Sequence, residues 1–361
     1  MKTIAIDSAA MIAPDNLSAG LVDRPDEISD AAHEQIVSRV ARLFQAMKRD
    51  QPAASAPYRP GGEWAAYLSE RQEFYDRLLA GDEEYCGQKL RNFWRNELGP
   101  IVKEYAKYEQ LVGGEQEYVD RFERNVTRNY LIWREICDGE VEMLRAPRVG
   151  NPWGYQIDGQ LVVPKATRFH ALSEQLRSLT QDVAHPLIVE IGGGYGGAPY
   201  FFLRDRPAAT YVDFDLPETL VLAAYYLLCC FPDRQVLLYG EEATPQGEAW
   251  KDQAAVLMPN FALPELADQS VDVFFNSFSF SEVPWETLVE YMGQVQRVVK
   301  SYFLHNNMDR RGVVNRGFER IPASRYPLDA AQLKQLYKRF DLFHGSEGDY
   351  REFLYQRTEA A

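Results

Sequence analysis

Leu187-Ile188-Val189-Glu190-Ile191-Gly192-Gly193-Gly194-Tyr195-Gly196-Gly197 is an apolar run that ends in an acid and passes into a glycine-crowded turn. The pattern predicts a buried strand followed by a nucleotide-cofactor loop. A chain leaving a parallel strand must turn sharply, in places with positive φ, and let its backbone approach a ligand without Cβ interference. A second run, Tyr211-Val212-Asp213-Phe214-Asp215, ends in a carboxylate where a ribose presents its hydroxyls. Two strand ends therefore converge on one ligand.

The glycines fit two patterns. Gly192, Gly194 and Gly197 satisfy the dinucleotide spacing G-x-G-x-x-G, while Gly192, Gly194 and Gly196 satisfy the E/D-x-G-x-G-x-G spacing of S-adenosylmethionine enzymes. Glu190 favours the second, because an acid two residues before the first glycine faces the ammonium of a methionyl group and repels a pyrophosphate. The Leu216-Pro217 step directly after Asp215 favours it as well.

On these residues the chain resembles class I S-adenosylmethionine-dependent methyltransferases, plant phenolic O-methyltransferases among them, and more closely the sugar O-methyltransferase family. The likeness rests on residues 189–197, on Asp215-Leu216-Pro217-Glu218-Thr219 with Ala224-Tyr225-Tyr226-Leu227, and on Asn276-Ser277-Phe278-Ser279-Phe280-Ser281-Glu282. It extends upstream to Phe93-Trp94-Arg95-Asn96 and Gly150-Asn151-Pro152-Trp153-Gly154-Tyr155. The resemblance implies a Rossmann-like α/β fold, a doubly wound, mostly parallel sheet with an α-helical N-terminal region. It also implies S-adenosyl-L-methionine as cofactor, S-adenosyl-L-homocysteine as product, and a sugar or nucleotide-sugar hydroxyl as acceptor. The cofactor set expected is Glu190, Gly192, Gly194, Tyr195, Gly196, Asp215 and Leu216, with Asn260 at the adenine and Asn276 and Ser277 at the next strand end.

Methyl transfer is an in-line displacement, so the protein must align acceptor, methyl carbon and sulfur. An alcohol also needs a base, typically worth about 10² to 10⁴ in rate. His305, at the end of an expected central strand, is the first candidate because imidazole titrates near neutral pH; Glu282 is the second. Trp153 and Tyr155 are candidates to stack on a sugar, and Ser279, Glu282 and Asn306 to contact the acceptor. The other histidines, His33, His170, His185 and His344, show no metal-ligand spacing, so no metal is expected. Two other readings stay open: N-methylation of an amino acid, amine or guanidino group in specialised-metabolite biosynthesis, and an NAD(P)-dependent oxidoreductase using the same glycine loop.

Composition bounds the partners. The 361 residues carry a formal charge of −14 and are 46% hydrophobic, enough for a substantial core but unsuited to a nucleic-acid backbone. A small-molecule substrate is expected, with no nucleic acid and no membrane. Cys86, Cys137, Cys229 and Cys230 lack C-x-x-C spacing and read as thiols of a reducing, cytoplasmic protein. The N-terminus does not read as a signal peptide, and the apolar run 220–231 is too short for a bilayer.

Residues 1–30 read as a loosely held arm, 31–147 as an α-helical region that packs, dimerises or forms a substrate lid, and 148–361 as the cofactor-binding domain. A homodimer through the N-terminal helices is expected. Helices are predicted over 30–48, 168–180, 217–230 and 330–340, with a Pro- and Gly-rich break at 51–62, turns at Gly81-Asp82 and Gly113-Gly114, and a hairpin at Asp158-Gly159. Strands are expected near 187–191, 211–215, 235–239, 254–258, 270–276, 301–305 and 351–356.

Overall fold

The structure, a computed structural model, describes residues 19–96, 98, 105–106, 116–241, 250, 252–344 and 348–358. The turn expected at Gly113-Gly114 and most of the expected arm lie outside these residues.

An eight-stranded sheet organises the molecule. Five strands follow the sequence pattern of buried, β-branched and aromatic runs: β3 (Leu187–Ile191), β4 (Thr210–Asp215), β5 (Val236–Leu238), β6 (Ala255–Pro259) and β7 (Val271–Ser277). β8 (Val299–Met308), β11 (Leu333–Phe340) and β12 (Tyr350–Arg357) complete it, in the order β11-β12-β8-β7-β3-β4-β6-β5. All neighbouring pairs are parallel except β12 with β8 and β11 with β12. The chain moves outward from β3 to β4 and then crosses back to β7, so strand order reverses between β3 and β7. Helices cover both faces: α6 (Ala166–Leu179), α7 (Gly197–Asp205) and α8 (Pro217–Cys230) on one, α9 (Trp285–Val298) on the other. This is a Rossmann-like α/β fold, and its ligand position is the crevice outside the carboxyl ends of β3 and β7.

α8 begins with Pro217 at its first turn, where the missing N–H costs nothing, and is buried on every side. One of its neighbours is α1 (Asp30–Asp50), capped by Ser29, whose Oγ accepts from the Ala32 amide. Lys48 pairs with Glu218 at 2.9 Å across this contact. α2 (Glu63–Ser69), α3 (Gln72–Leu79), α4 (Glu83–Leu90) and α5 (Gln116–Cys137) follow, and a hairpin of β1 (Tyr155–Ile157) and β2 (Gln160–Val162) leads into α6. The apolar core is continuous from α1 through Phe93, Trp94 and Trp133 to the sheet, so the helices share the core of the α/β fold. Residues 19–29 are tied to it: the Arg24 amide donates to Asn151 Oδ1 at 2.8 Å, and Asp26 accepts from the Gly150 amide at 2.6 Å and from Tyr225 Oη at 2.9 Å.

The helix expected over 330–340 is instead β11, an antiparallel edge strand paired with β12. Leu333, Leu336, Tyr337 and Phe340 fall at helical spacing, which explains the expectation. Pairing with β12 overrides it, and only Leu333 is buried. Lys334, Lys338 and Arg339 then serve as edge charges that discourage pairing with another chain. No helix among the described residues is long and apolar enough to cross a membrane, and all four cysteines are free.

Candidate functional site

The glycine loop between β3 and α7 turns as its sequence demands. Gly192, Gly194 and Gly196 sit at φ of +84°, +66° and +89°, a region L side chains rarely adopt. Gly193 is needed for space, since a Cβ there would lie 2.5 Å from Asp213 Oδ2. Asp213 accepts from the Gly193 amide at 3.0 Å, and Asp215 accepts from the Gly194 amide at 3.3 Å and the Leu216 amide at 2.7 Å. The carboxylates of β4 thus hold the loop by its backbone.

Glu190, Asp213 and Asp215 are all buried, and burial pushes each carboxyl above the ordinary carboxylate range. Mutual repulsion adds to this, with Asp215 acting on both Glu190 and Asp213. Tyr211 Oη donates to Glu190 at 2.7 Å and opposes the shift, while Asp213 Oδ2 has no hydrogen-bond partner among the described residues. Three acids crowded beneath one loop repel one another when ionised and suit a cationic ligand.

Beside them opens a small cleft, floored by Ile191, Gly192, Asp215 and Leu216 and walled by Asn260, Ser279, Thr287 and Tyr291. Its roof comes from Arg59, Pro60 and Gly61, in the segment read from sequence as a break between helices, and from Trp64 in α2. Two short 3-10 turns, 51–53 and 56–58, shape this segment, and three hydrogen bonds fasten it. Thr287 Oγ1 donates to the Pro57 carbonyl at 2.8 Å, Asn260 Nδ2 to the Tyr58 carbonyl at 2.9 Å, and Tyr58 Oη to Glu290 at 2.8 Å. Gly62, at φ +60°, packs so closely that a Cβ would come within 2.3 Å of the Glu282 carbonyl oxygen.

Asp215, Leu216, Gly192, Asn260 and Ser279 line the cleft together. Asn260 is buried, donates to the Tyr58 carbonyl and to Tyr291 Oη at 2.9 Å each, and keeps Oδ1 without a partner among the described residues. Asn276 takes a different part: Nδ2 donates to the Ile191 carbonyl at 2.7 Å and to Ser279 Oγ at 2.6 Å, and Oδ1 accepts from Asn307 at 2.8 Å. It braces the loop rather than facing a ligand. Ser277 Oγ accepts from Arg168.

Several expected roles are corrected by burial. His305 is 0% exposed, its ring stacked 4.7 Å from Phe353 and packed against Phe303, Tyr326 and Tyr355. Burial drives its pKa down to about 3, so the imidazole is a neutral core group, and the general-base expectation is withdrawn. Trp153 is 0% exposed and packs on Tyr105, and Tyr155 is half-buried in the β1–β2 hairpin; neither lines the cleft. The Tyr195 ring is buried among Phe93, Trp94, Phe169 and Tyr226, leaving only its backbone to serve a cofactor. Asn306 Nδ2 donates to Asp341, across the β8 end. Glu282 stays near the roof but is ion-paired at 3.0 Å with Arg320, which also holds Glu63 of α2.

Sequence reasoning missed Arg59, Trp64, Thr287, Tyr291, Asp213 and Arg168. Asp213 was within reach, since a second acid in a strand otherwise wholly apolar and aromatic is a signal in itself. The roof residues carried none, because a Pro- and Gly-rich break reads the same whether or not it covers a site.

No family model and no curated protein matches the sequence. Among solved structures, the chain is similar to the PH0226 protein of Pyrococcus horikoshii OT3, at 13% identity over 53% of this chain and 90% of that one, with a TM-score of 0.38. It is similar to the pyocyanin biosynthetic protein PhzM at 11% identity over 54% of this chain, with a TM-score of 0.37, and spans only 56% of that protein. A third is the magnesium protoporphyrin IX methyltransferase ChlM of Synechocystis PCC 6803, at 11% identity, 53% and 83% coverage and a TM-score of 0.36. All three scores lie below 0.5, and the sheet order above, not this likeness, carries the fold assignment.

Proposed function

We propose that the protein is an S-adenosylmethionine-dependent methyltransferase acting on a small polar metabolite. The observation that carries this is the trio Glu190, Asp213 and Asp215 under a positive-φ glycine loop. In its ionised form the trio repels the pyrophosphate of a nicotinamide dinucleotide, and a ligand bearing an ammonium and a sulfonium would favour that form. Arg59, the cation in the roof, is turned to the carbonyls of Ala54 and Pro52.

The residues present fit the cofactor. In this reading Asp215, in the cleft, takes the ribose hydroxyls, the partnerless Asn260 Oδ1 the adenine amino group, and Glu190, in β3 just before the loop, the methionyl ammonium. The cradle at Gly192 is one a Cβ would fill, since it would lie 2.6 Å from Ser279 Oγ. When bound, S-adenosylmethionine supplies a methyl group made electrophilic by its sulfonium. The chain's own part is to hold acceptor and methyl in line and to exclude water under the roof of residues 59–64.

The resemblance described above makes a sugar or nucleotide-sugar hydroxyl the first acceptor class. With His305 in the core and no other histidine lining the cleft among the described residues, a nitrogen acceptor gains weight, because a neutral amine needs no base for attack. Calorimetry with S-adenosylhomocysteine, and NADH as the paired control, tests the cofactor. Binding of the former alone is expected, and binding of NADH alone would overturn the proposal. Acceptor screening against pH then separates the classes, since amine methylation keeps rising toward the amine's own pKa.

A further inference from the structure

The connection from β8 to β11 carries a hairpin of its own, β9 (Val314–Asn315) and β10 (Phe318–Glu319), which lies outside the eight-stranded sheet. Asn315 stands opposite Phe318, so the turn is the two residues Arg316-Gly317. Their φ values, +50° and +79°, are both positive, as a type I′ turn requires. Asn or Asp usually takes the first of these positions, and an arginine rarely adopts it. A residue held against its backbone preference points to what its side chain reaches.

That target is α2. Arg316 pairs with Glu70, directly after the helix, and its guanidinium lies 5.8 Å over the Tyr67 ring. Glu70 also pairs with Arg71 at 3.2 Å. At the other end of α2, Glu63 accepts from Arg320 Nε, from Arg320 Nη2 at 2.8 Å and from Asn315 Nδ2. Glu63 is 6% exposed, so this pair, 257 residues apart in the chain, is shielded from water. Arg320 is anchored in turn. It pairs with Glu282 at 3.0 Å, its Nη1 donates to Tyr350 Oη at 2.9 Å, and the Ile321 amide donates to the Ser281 carbonyl at 3.1 Å. The hairpin thus ties both ends of α2 to the turn after β7 and to the start of β12.

α2 supplies Trp64 to the roof, and the cleft beneath is small. A nucleoside-sized ligand passes only when this roof lifts. Lifting α2 must break its pairs with Arg316 and Arg320, and the buried pair is the stronger restraint. We propose that the β9–β10 hairpin is a strap that holds α2 down and sets the rate at which the cleft opens to ligand. The inference rests on the S-adenosylmethionine reading for what passes beneath the roof, and goes beyond it in assigning the fastening of a gate.

Two readouts on the full chain test it. In hydrogen exchange without ligand, Arg320→Met will speed exchange across residues 63–69 by about tenfold or more, because removing one partner of a buried pair is strongly destabilising. Unchanged exchange in β3 and β4 will show that the fold is intact. Arg316→Met will act in the same direction by about two- to fivefold, the scale of a partly exposed pair, and Arg320→Lys will keep part of the wild-type protection. In stopped-flow with S-adenosylhomocysteine, association and release will both accelerate about tenfold in Arg320→Met, with the dissociation constant within about threefold. A strap that acts equally with and without ligand shifts the rates and not the balance. A folded Arg320→Met protein with wild-type exchange in α2 overturns the strap. A loosened α2 with unchanged association and release overturns its control of the cleft, as does a loss of affinity with association unchanged. A wild type that fails to bind S-adenosylhomocysteine overturns the cofactor reading, and the exchange measurement then decides the strap by itself.

Discussion

Replacing His305 by Phe separates a core imidazole from a catalytic one. Burial depresses the folded-state pKa from 6.5 to about 3, with only Asp309 opposing. An unfolded chain therefore takes up this proton first as pH falls. The stability linked to His305 is complete above pH 6.5 and is lost as pH drops toward 3, at about 1.36 kcal/mol per unit. The loss is about 2 kcal/mol at pH 5 and about 5 kcal/mol at its limit. Phe has no proton to gain and keeps the stacking with Phe353, Phe303 and Tyr326, giving up a long contact from Asn307 at 3.4 Å. It will shift stability at pH 7.5 by about 1 kcal/mol, as shape-conserving core exchanges do. Urea unfolding at pH 7.5, 6 and 5 will then show the variant losing about 2 kcal/mol less than wild type across the range. The depressed titrations of His33, His170 and His344 are common to both proteins and cancel in the difference. Parallel pH dependences would refute the buried-neutral assignment. A folded variant that binds cofactor but has lost turnover would restore His305 as the base.

Three further outcomes follow from the site. Asp215→Ala will weaken S-adenosylhomocysteine binding about 10- to 100-fold, the scale of charge-assisted hydrogen bonds to ribose; unchanged affinity by calorimetry removes Asp215 from the cofactor site. Gly62→Ala places a Cβ 2.3 Å from the Glu282 carbonyl at φ +60°, so the roof must move. It will raise the dissociation constant for the same ligand by about tenfold or more, and an intact constant would mean that residues 59–64 do not close the cleft. Cofactor affinity will fall as pH drops from 8 toward 6, because the raised Glu190 and Asp215 carboxyls take up protons well above the ordinary carboxylate range, Glu190 losing its attraction for an ammonium and Asp215 its charge-assisted hold on the ribose. A binding constant flat to pH 6 would show that neither acid meets the ligand's charge.

What the sequence determined by itself was local in the chain. Residues 187–197 state a strand, a turn and a helix start within eleven positions, and Asp215-Leu216-Pro217 states a strand end and a helix start within three. Here φ preference and burial pattern act on neighbours, so the glycine loop, the two strands and the doubly wound, mostly parallel class of the sheet were legible. Spacing alone failed at β11, because a helical repeat of Leu and aromatic residues is also compatible with an edge strand once β12 offers its backbone.

The tertiary structure decided which strand-end groups meet a ligand. His305 and Asn276 sit level on adjacent strands, yet one is sealed among aromatic rings and the other braces the Ile191 carbonyl. Which layer covers β8 depends on Tyr326 and β12, distant in sequence, and no local pattern encodes it. The roof over Asp215 comes from residues 59–64, about 150 positions upstream, and Arg168 reaches Ser277 across 109 residues. Such juxtapositions arise from packing between elements, where side-chain burial, not chain proximity, sets both position and ionisation.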